Sequence, residues 1–316
     1  MVNPKSISLV IPAFNEEKNI LPLYNLLRKV IEKNKYYYEI IFVDDGSTDN
    51  TLRVLKSIHK KDKKVKIISF RKNFGQTAAL SSGFDYARKS IVITLDADLQ
   101  NDPRDIPTLL REIDKGYDVV SGWRVNRKDD FLTRNFPSYF ANWLISKISG
   151  IKLHDYGCTL KAYKKDILED IKLYGEMHRF IPAIAASVGA RVGEVEISHH
   201  RRRYGKSKYG IDRTLRVILD LLVIKFILSY QFRPIQLFGK LGFAIIAFGS
   251  LIFIWLVYGR FFLAQPLSTR PLLVVSIFFI LVGIQFIIFG LLAEIMVRIY
   301  FESQKKPTYF IKKIVK

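Results

Sequence analysis

The stretch Ile91-Val-Ile-Thr-Leu-Asp-Ala-Asp-Leu-Gln100 decides how the chain is read. Apolar and β-branched residues run straight into two carboxylates one residue apart. A short, uninterrupted apolar run is the pattern of a buried parallel strand. In open α/β sheets, ligands gather outside the carboxyl ends of the strands. Asp96 and Asp98 are therefore expected at a sheet edge, with Gln100 close behind. Carboxylates and an amide oxygen are hard ligands suited to Mg²⁺ or Mn²⁺, ions commonly shared with a substrate's phosphates. A turn after a strand also favours Asp, so the neighbouring segments carry the decision.

Upstream, Ser6 to Pro12 reads as a strand and Glu16 to Lys33 as a helix with Ile20, Leu23, Leu27 and Val30 on one face. Strand Glu39 to Asp44, helix Thr51 to His59, strand Val65 to Phe70 and helix Gly75 to Arg88 follow. The fourth strand is expected to end at Asp96. Beyond it come a helix from Pro103 to Lys115, opened by proline, and a strand from Tyr117 to Gly122. This alternation predicts an α/β fold with a doubly wound, mostly parallel sheet. After Gly122 the regularity fades. A helix from Asn135 to Ser149, a turn or short strand from His154 to Lys161, helical patches from Ile167 to Ala186 and a last strand from Val192 to Ser198 are expected.

The far end has a different character. Leu241 to Tyr258 holds 18 residues without a charge and Leu272 to Ala293 holds 22, and each is long enough to cross a bilayer as a helix. Basic residues crowd the outer flanks, so the positive-inside rule puts both termini in the cytoplasm and the short loop outside. Ile211 to Tyr230 is amphipathic and too polar to span; it is expected to lie at the membrane interface. The N-terminus has no signal-peptide pattern.

Lys plus Arg number 50 against 29 for Asp plus Glu, a formal charge of +21. Such an excess points to nucleic acid, anionic lipid or phosphate-bearing substrates. Nucleic acid is set aside because no helix-turn-helix, RNA-recognition or zinc pattern accompanies the basic run Arg201 to Lys208. Beside an amphipathic helix and two spans, that run suits anionic headgroups and lipid phosphate. The single cysteine, Cys158, excludes an internal disulfide and reads as a small buried hydrophobe. His154, His199 and His200 lack metal-ligand spacing and read as hydrogen-bonding groups. Gln285 and Glu294 are polar residues in the second span.

Two more acidic clusters end strands at the same expected edge: Ile11-Pro-Ala-Phe-Asn-Glu16 and Phe42-Val-Asp-Asp-Gly-Ser-Thr-Asp49. An edge gathering Glu16, Asp44, Asp45, Asp49, Asp96 and Asp98 repels itself unless a cation sits there. Each cluster alone is ordinary turn and N-cap chemistry. Three together point to a site for metal plus sugar nucleotide.

Pro12-Ala-Phe-Asn-Glu16, Asp44-Asp-Gly-Ser-x-Asp49 and Asp96-Ala-Asp-Leu-Gln100, with Asp155-Tyr-Gly-Cys158, Arg202-Arg-x-Gly-x-Ser-Lys-Tyr209 and the two spans, resemble the inverting GT-A-fold glycosyltransferases that include dolichyl-phosphate mannose synthase. The pattern is most similar to the bacterial polyisoprenyl-phosphate glycosyltransferases of the GtrB and ArnC type; Gly122-Trp-Arg124 and His154-Asp-Tyr-Gly lean to GtrB. The resemblance implies a catalytic domain over 1–210, an interface helix region over 211–236, and a two-helix anchor with a cytoplasmic tail over 237–316. It implies that Pro12, Phe14, Glu16 and Asp44 hold the base and ribose, and that Asp96 serves the ribose or sugar side. Asp98 and Gln100 would ligate Mg²⁺ or Mn²⁺ bridging the diphosphate. Arg134 and Ser138 would hold the acceptor lipid phosphate, while Arg124, Arg202 and Lys208 neutralise phosphates. Asp155 is either a general base or an orienting, sugar-binding residue, and the second role is favoured.

The implied substrates are UDP-glucose and polyprenyl phosphate, undecaprenyl or dolichyl, with GDP-mannose and UDP-linked amino sugars as alternatives. A homo-oligomer through the membrane helices and a downstream flippase are implied partners, and the implied location is the inner membrane. A processive polysaccharide synthase would carry Gln-x-x-Arg-Trp, which is absent. A non-catalytic lipid-binding scaffold would not need Asp96, Asp98 and Gln100 together.

Overall fold

The computed structural model describes residues 5–125, 146, 151–169, 171, 173, 177–200, 234–262, 266, 271–303 and 311–315. The expected interface helix over 211–230 and the helix over 135–149 lie outside these residues, save for Ser146. The described residues fall into two compact units.

The first unit is an α/β/α sandwich. Its strands are β1 (Ser6–Ala13), β2 (Tyr37–Asp44), β3 (Val65–Phe70), β4 (Ile91–Thr94), β5 (Val119–Trp123), β6 (Lys161–Lys164), β7 (Val192–Glu196) and β8 (Ile311–Val315). They form one sheet in the order β7-β5-β6-β4-β1-β2-β3-β8. β1 pairs parallel with β2 and β4, and β2 with β3. β6 lies antiparallel between β4 and β5, and β7 runs parallel to β5. All the chain ends used below, including the start of β6, therefore meet at one edge.

The strands alternate sides as the pleat requires. Ile7, Leu9 and Ile11 pack on one face with Ile20, Leu23 and Leu27 of α1 (Glu17–Asn34), Leu55 of α2 (Thr51–Lys61) and Leu109 of α4 (Ile106–Asp114). Val10, Ile41 and Val43 pack on the other with Ala79 and Leu80 of α3 (Gln76–Tyr86). Truncating a fully buried leucine such as Leu23 costs about 2–5 kcal/mol. α3 lies close on β1 because Gly83 has no side chain; a Cβ there would come 2.1 Å from Val10 Cγ1.

Three differences from the sequence reading matter. β4 stops at Thr94, two residues before Asp96, so both carboxylates sit on a loop rather than on the strand. β6 turns the parallel sheet into a mixed one. Ile311–Val315, counted above with the anchor's tail, is a strand antiparallel to β3, with Ile67 opposite Val315. It pairs with β3 at the edge of the sheet and leaves Lys313 exposed.

The second unit is a helical hairpin of α7 (Pro234–Phe262) and α8 (Pro271–Ser303); α5 (Lys165–Glu169) and α6 (Ile181–Ser187), earlier in the chain, belong to the first unit. Gln236–Phe262 and Pro271–Met296 have mean hydropathies of 2.3 and 2.9 and are only 17% and 11% buried. Both are long and apolar enough to cross a membrane, and their exposure is opposite to that of core helices. The helices touch at small residues, as membrane helices do: a Cβ on Gly242 would come 2.6 Å from the Gly283 carbonyl oxygen.

Candidate functional site

The loops after β1 and β2 are clasped together. Ala13 and Asp44 are register partners at the strand ends. Asn15, in the left-handed region at φ 57 that Asn tolerates, accepts the Thr48 N–H on its side-chain oxygen at 2.8 Å and donates its own N–H to the Ser47 hydroxyl oxygen at 3.0 Å. Glu16 donates its N–H to Thr51 Oγ1 at 2.8 Å. Gly46, at φ +70, turns the β2 loop where a Cβ would come 2.4 Å from the Lys72 backbone.

Several acids of this edge serve backbone N–H groups. Asp49 accepts from the Thr51 N–H at 2.9 Å at the start of α2 and from Glu17 at 3.3 Å. Asp45 accepts from the Phe74 and Gly75 N–H groups at 2.7 and 3.0 Å, fixing the entry to α3. Asp44, 1% exposed, accepts from the Ser47 N–H at 3.1 Å and the Ser69 hydroxyl at 2.9 Å. Pro12 and Phe14, the expected base contacts, are half-buried at the same edge.

The loop after β4 brings in the central carboxylates. Asp96 is half-buried and accepts from Gln76 Nε2 at 2.7 Å, a partner on the first residue of α3. Asp98 is 5% exposed, and its Oδ1 accepts the Gln100 N–H at 3.1 Å. Leu99 between them sits at φ 61 and reverses the chain. The loop is stitched on both sides. Asn101 donates to Thr159 Oγ1 at 2.8 Å and bridges His199, and the His200 N–H donates to the Gln100 carbonyl at 2.8 Å. His200 Nε2 lies 3.0 Å from Asp102 Oδ2. Burial pushes the Asp102 carboxyl up, but hydrogen bonds from Arg104 and His200 outweigh it and hold the group at about 2.

The β5–β6–β7 side contributes an ion pair. Arg124, just past β5, grips Asp155 with Nε to Oδ2 at 2.6 Å and Nη2 to Oδ1 at 2.9 Å. The Gly157 N–H also donates to Oδ1 at 3.1 Å. The side chains are 12% and 8% exposed. A carboxylate gripped this way is poorly placed to take a proton, which favours an orienting role. Arg124, expected at a phosphate, is held first by Asp155. Burial lowers the guanidinium's pKa, and Asp155 more than offsets it, leaving the group firmly charged.

Glu194 on β7 accepts the N–H groups of His154 and Asp155, each at 3.0 Å, and its Oε2 lies 2.8 Å from His154 Nδ1. The His154 ring stacks on Trp123, centroids 4.1 Å apart. Sequence reasoning missed Gln76, Asn101 and Glu194. Only the first had a signal, as the residue after a glycine entering a helix. Arg134, Ser138, Arg202 and Lys208 lie outside the described residues.

The residues at the β4 edge fit a hard divalent cation in the chemistry of their donors, with carboxylates of Asp96 and Asp98 and the amide of Gln100 on one five-residue loop. Among the described residues, no three His, Cys, Asp or Glu side chains form a ready-made cage.

Comparison with known proteins agrees with this geometry. Residues 8–172 match the model of Glycosyl transferase family 2. The chain is 44% identical to the dodecaprenyl-phosphate galacturonate synthase of Rhizobium johnstonii, over 99% of this chain and 94% of that protein. It is 36% identical to the undecaprenyl-phosphate 4-deoxy-4-formamido-L-arabinose transferase of Proteus mirabilis, over 98% and 94%. In structure it is similar to glucosyl-3-phosphoglycerate synthase from Mycobacterium tuberculosis, solved with Mn²⁺, UDP and phosphoglyceric acid. There the TM-score is 0.53 at 18% identity, covering 70% of this chain and 78% of that one, a likeness of fold.

Proposed function

The chain belongs to glycosyl transferase family 2, and from that premise we propose that it transfers one sugar from a nucleoside diphosphate to the phosphate of a polyprenyl lipid at a membrane. The observation that carries the reading is the full-length match to a dodecaprenyl-phosphate sugar synthase, membrane hairpin included. The acidic edge supplies the matching chemistry. The two apolar helices are proposed to anchor the enzyme in the inner membrane, with the sandwich on the cytoplasmic side.

Pro12, Phe14, Glu16 and Asp44 line the edge where base and ribose would lie, and Asp96, steadied by Gln76, faces the sugar side. Asp98 and Gln100 would hold Mg²⁺ or Mn²⁺. When bound, the ion supplies positive charge to the departing diphosphate. Arg202 and Lys208 are proposed to add to that charge, and Arg134 and Ser138 to hold the acceptor phosphate. The transition state of glycosyl transfer is oxocarbenium-like. A lipid monophosphate, with a second pKa near ~6, is already largely dianionic and attacks without a strong base. Asp155 therefore orients, through Arg124, rather than deprotonates. One displacement inverts the anomeric centre.

UDP-glucose was the donor expected from the sequence. The named sugars of the relatives, a galacturonate and a formamido-arabinose, move the proposal to a UDP-linked modified sugar, with a uronic acid first. The test is transfer by the full-length protein in detergent with Mg²⁺ or Mn²⁺ and a short polyprenyl phosphate. Labelled UDP-galacturonate, UDP-4-formamido-arabinose, UDP-glucose and GDP-mannose are offered separately, with Asp98→Ala as control. Lipid-extractable label from a UDP-sugar, lost in the control, supports the reading. Label from GDP-mannose alone reassigns the donor, and no label from any donor, with nucleotide unbound, removes the catalytic reading.

A further inference from the structure

Lys161 opens β6 and is 2% exposed, yet it is a cation in the interior. Its ammonium donates to the carbonyl oxygens of Tyr156, at 3.1 Å, and Cys158. Among the described residues it has no carboxylate partner at ion-pair distance. Burying an ammonium on neutral acceptors is costly, and an apolar residue of the same size usually serves stability better. The charge therefore needs another reason to be there.

The two carbonyls it holds belong to the turn that presents Asp155. That turn also carries the Gly157 N–H that binds Asp155 Oδ1, and Thr159, whose carbonyl accepts the Thr94 hydroxyl at 2.7 Å and whose own hydroxyl binds Asn101. Lys161, at the start of β6, thus holds through its ammonium the turn that links the Asp155–Arg124 pair to the Asp96–Asp98 loop. We infer that Lys161 is a positioning residue for sugar transfer: its ammonium holds the turn from Asp155 to Thr159, and so the Arg124–Asp155 pair, in the geometry the transfer uses. The inference rests on the site reading above.

The groups that act on the ammonium come from every side. Asp155 and Cys158 lie on the turn, Arg124 past β5 and Asp96 past β4. Tyr163, with His178 and Arg179 of the 3-10 turn Met177–Phe180, lines the same small cleft. Burial is the dominant influence and makes the ammonium easier to deprotonate. As pH rises, the turn's cation is lost before an exposed lysine, at about 10.4, would lose its proton.

The test compares full-length wild type, Lys161→Met, Lys161→Arg and Asp155→Asn in detergent, on one donor and acceptor that wild type turns over. Lys161→Met keeps the volume without the charge. It should lower kcat by about 10- to 100-fold, the scale of a small misplacement of reacting groups, and leave the nucleotide-sugar KM within about threefold. Lys161→Met combined with Asp155→Asn should lose no more than Asp155→Asn alone. Lys161→Arg should recover part of the rate, and the alkaline fall of wild-type kcat should be absent from it. Independently of turnover, hydrogen exchange at the Asp155 and Gly157 amides should quicken about tenfold or more in Lys161→Met while β1 to β4 stay protected. Wild-type kcat in Lys161→Met, additive losses with Asp155→Asn, or unchanged exchange through the turn each overturn the inference. A wild type silent with every donor counts against the proposed reaction instead, and the exchange measurement still decides the role of Lys161. If Lys161→Met does not fold, Lys161→Arg with a wild-type rate and an unchanged alkaline fall overturns it.

Discussion

At the β1–β2–β4 end of the sheet edge, the carboxylates accept hydrogen bonds from neutral donors: backbone N–H groups, the Ser69 and Thr51 hydroxyls and the Asn19 and Gln76 amides. At the β5–β6–β7 end, the central carboxylate is gripped by a buried arginine, above a turn that encloses a buried lysine. The neutral donors orient the carboxylates without bringing a charge of their own, whereas the donor that grips Asp155 is itself a cation. In the second half the Arg124 guanidinium offsets the Asp155 charge directly. Under the proposed function, the first half is the one that substrate and metal would complete, and the second is the one braced by its own ion pair.

The sharpest way to break this contrast is Asp98→Ala. Transfer should fall by about 10³-fold, the scale of losing one charge-stabilising group in a transition state. With metal absent the variant's Tm should equal or exceed wild type, because a repelling charge has gone from the acidic edge. A clear loss of stability without metal would mean that Asp98 is structural and that the two halves do not differ as described.

Arg124→Ala attacks the other half. It leaves Asp155, 8% exposed, as a buried charge without its main partner, and should cost roughly 3–5 kcal/mol in unfolding free energy. Adding Asp155→Ala should recover a large part of that loss, since removing both partners leaves no orphaned charge. Denaturant or thermal unfolding of the full-length protein in detergent reads both. Equal stability of the single and double variants would show that the pair is not the unit drawn here.

The same contrast explains what was legible in the sequence. The acidic half is made of contiguous motifs at strand ends, so strand periodicity followed by Asp was enough to place Asp44, Asp96 and Asp98. The braced half joins Arg124 to Asp155, and Asp155 through its N–H to Glu194, 39 positions further on. No local pattern reports a contact across that distance. β6 was hidden because Lys161-Ala-Tyr-Lys164 is short and begins with a lysine, a residue depleted from strands and buried here only by its contacts. β8 was hidden because Lys312 and Lys313 read as a solvated tail and the five residues Ile311–Val315 show no strand alternation. The doubly wound class was legible because its helices and strands each carry their own period.

Asp102 lies on the seam between the halves, and acid sharpens the comparison there. Its folded pKa of about 2 is below its ordinary value of 3.8. The stability it adds is therefore present above about pH 4 and lost as pH falls toward 2. Allowing for the exposure of Arg104, 73%, Asp102→Asn should cost about 1–2 kcal/mol at pH 7. The Tm difference from wild type should shrink steadily between pH 4 and 2. A difference that persists at pH 2 would mean that the Asn side chain is misfitted there and that charge is not the cause.

The smallest effect concerns Cys158, under the braced half. Burial pushes its thiol up to about 11, with Arg124 opposing and Asp155 adding to the rise, and the residue is 0% exposed. The thiolate is the reactive form, so at pH 8 the folded protein should take up almost no maleimide, while denatured protein labels fully. Labelling should become measurable in Arg124→Ala only to the extent that the turn opens, because losing the arginine by itself leaves the thiol still harder to ionise. Rapid labelling of folded Arg124→Ala would therefore report motion of the Asp155 turn, and would show that the arginine, more than Lys161, keeps that half of the edge closed.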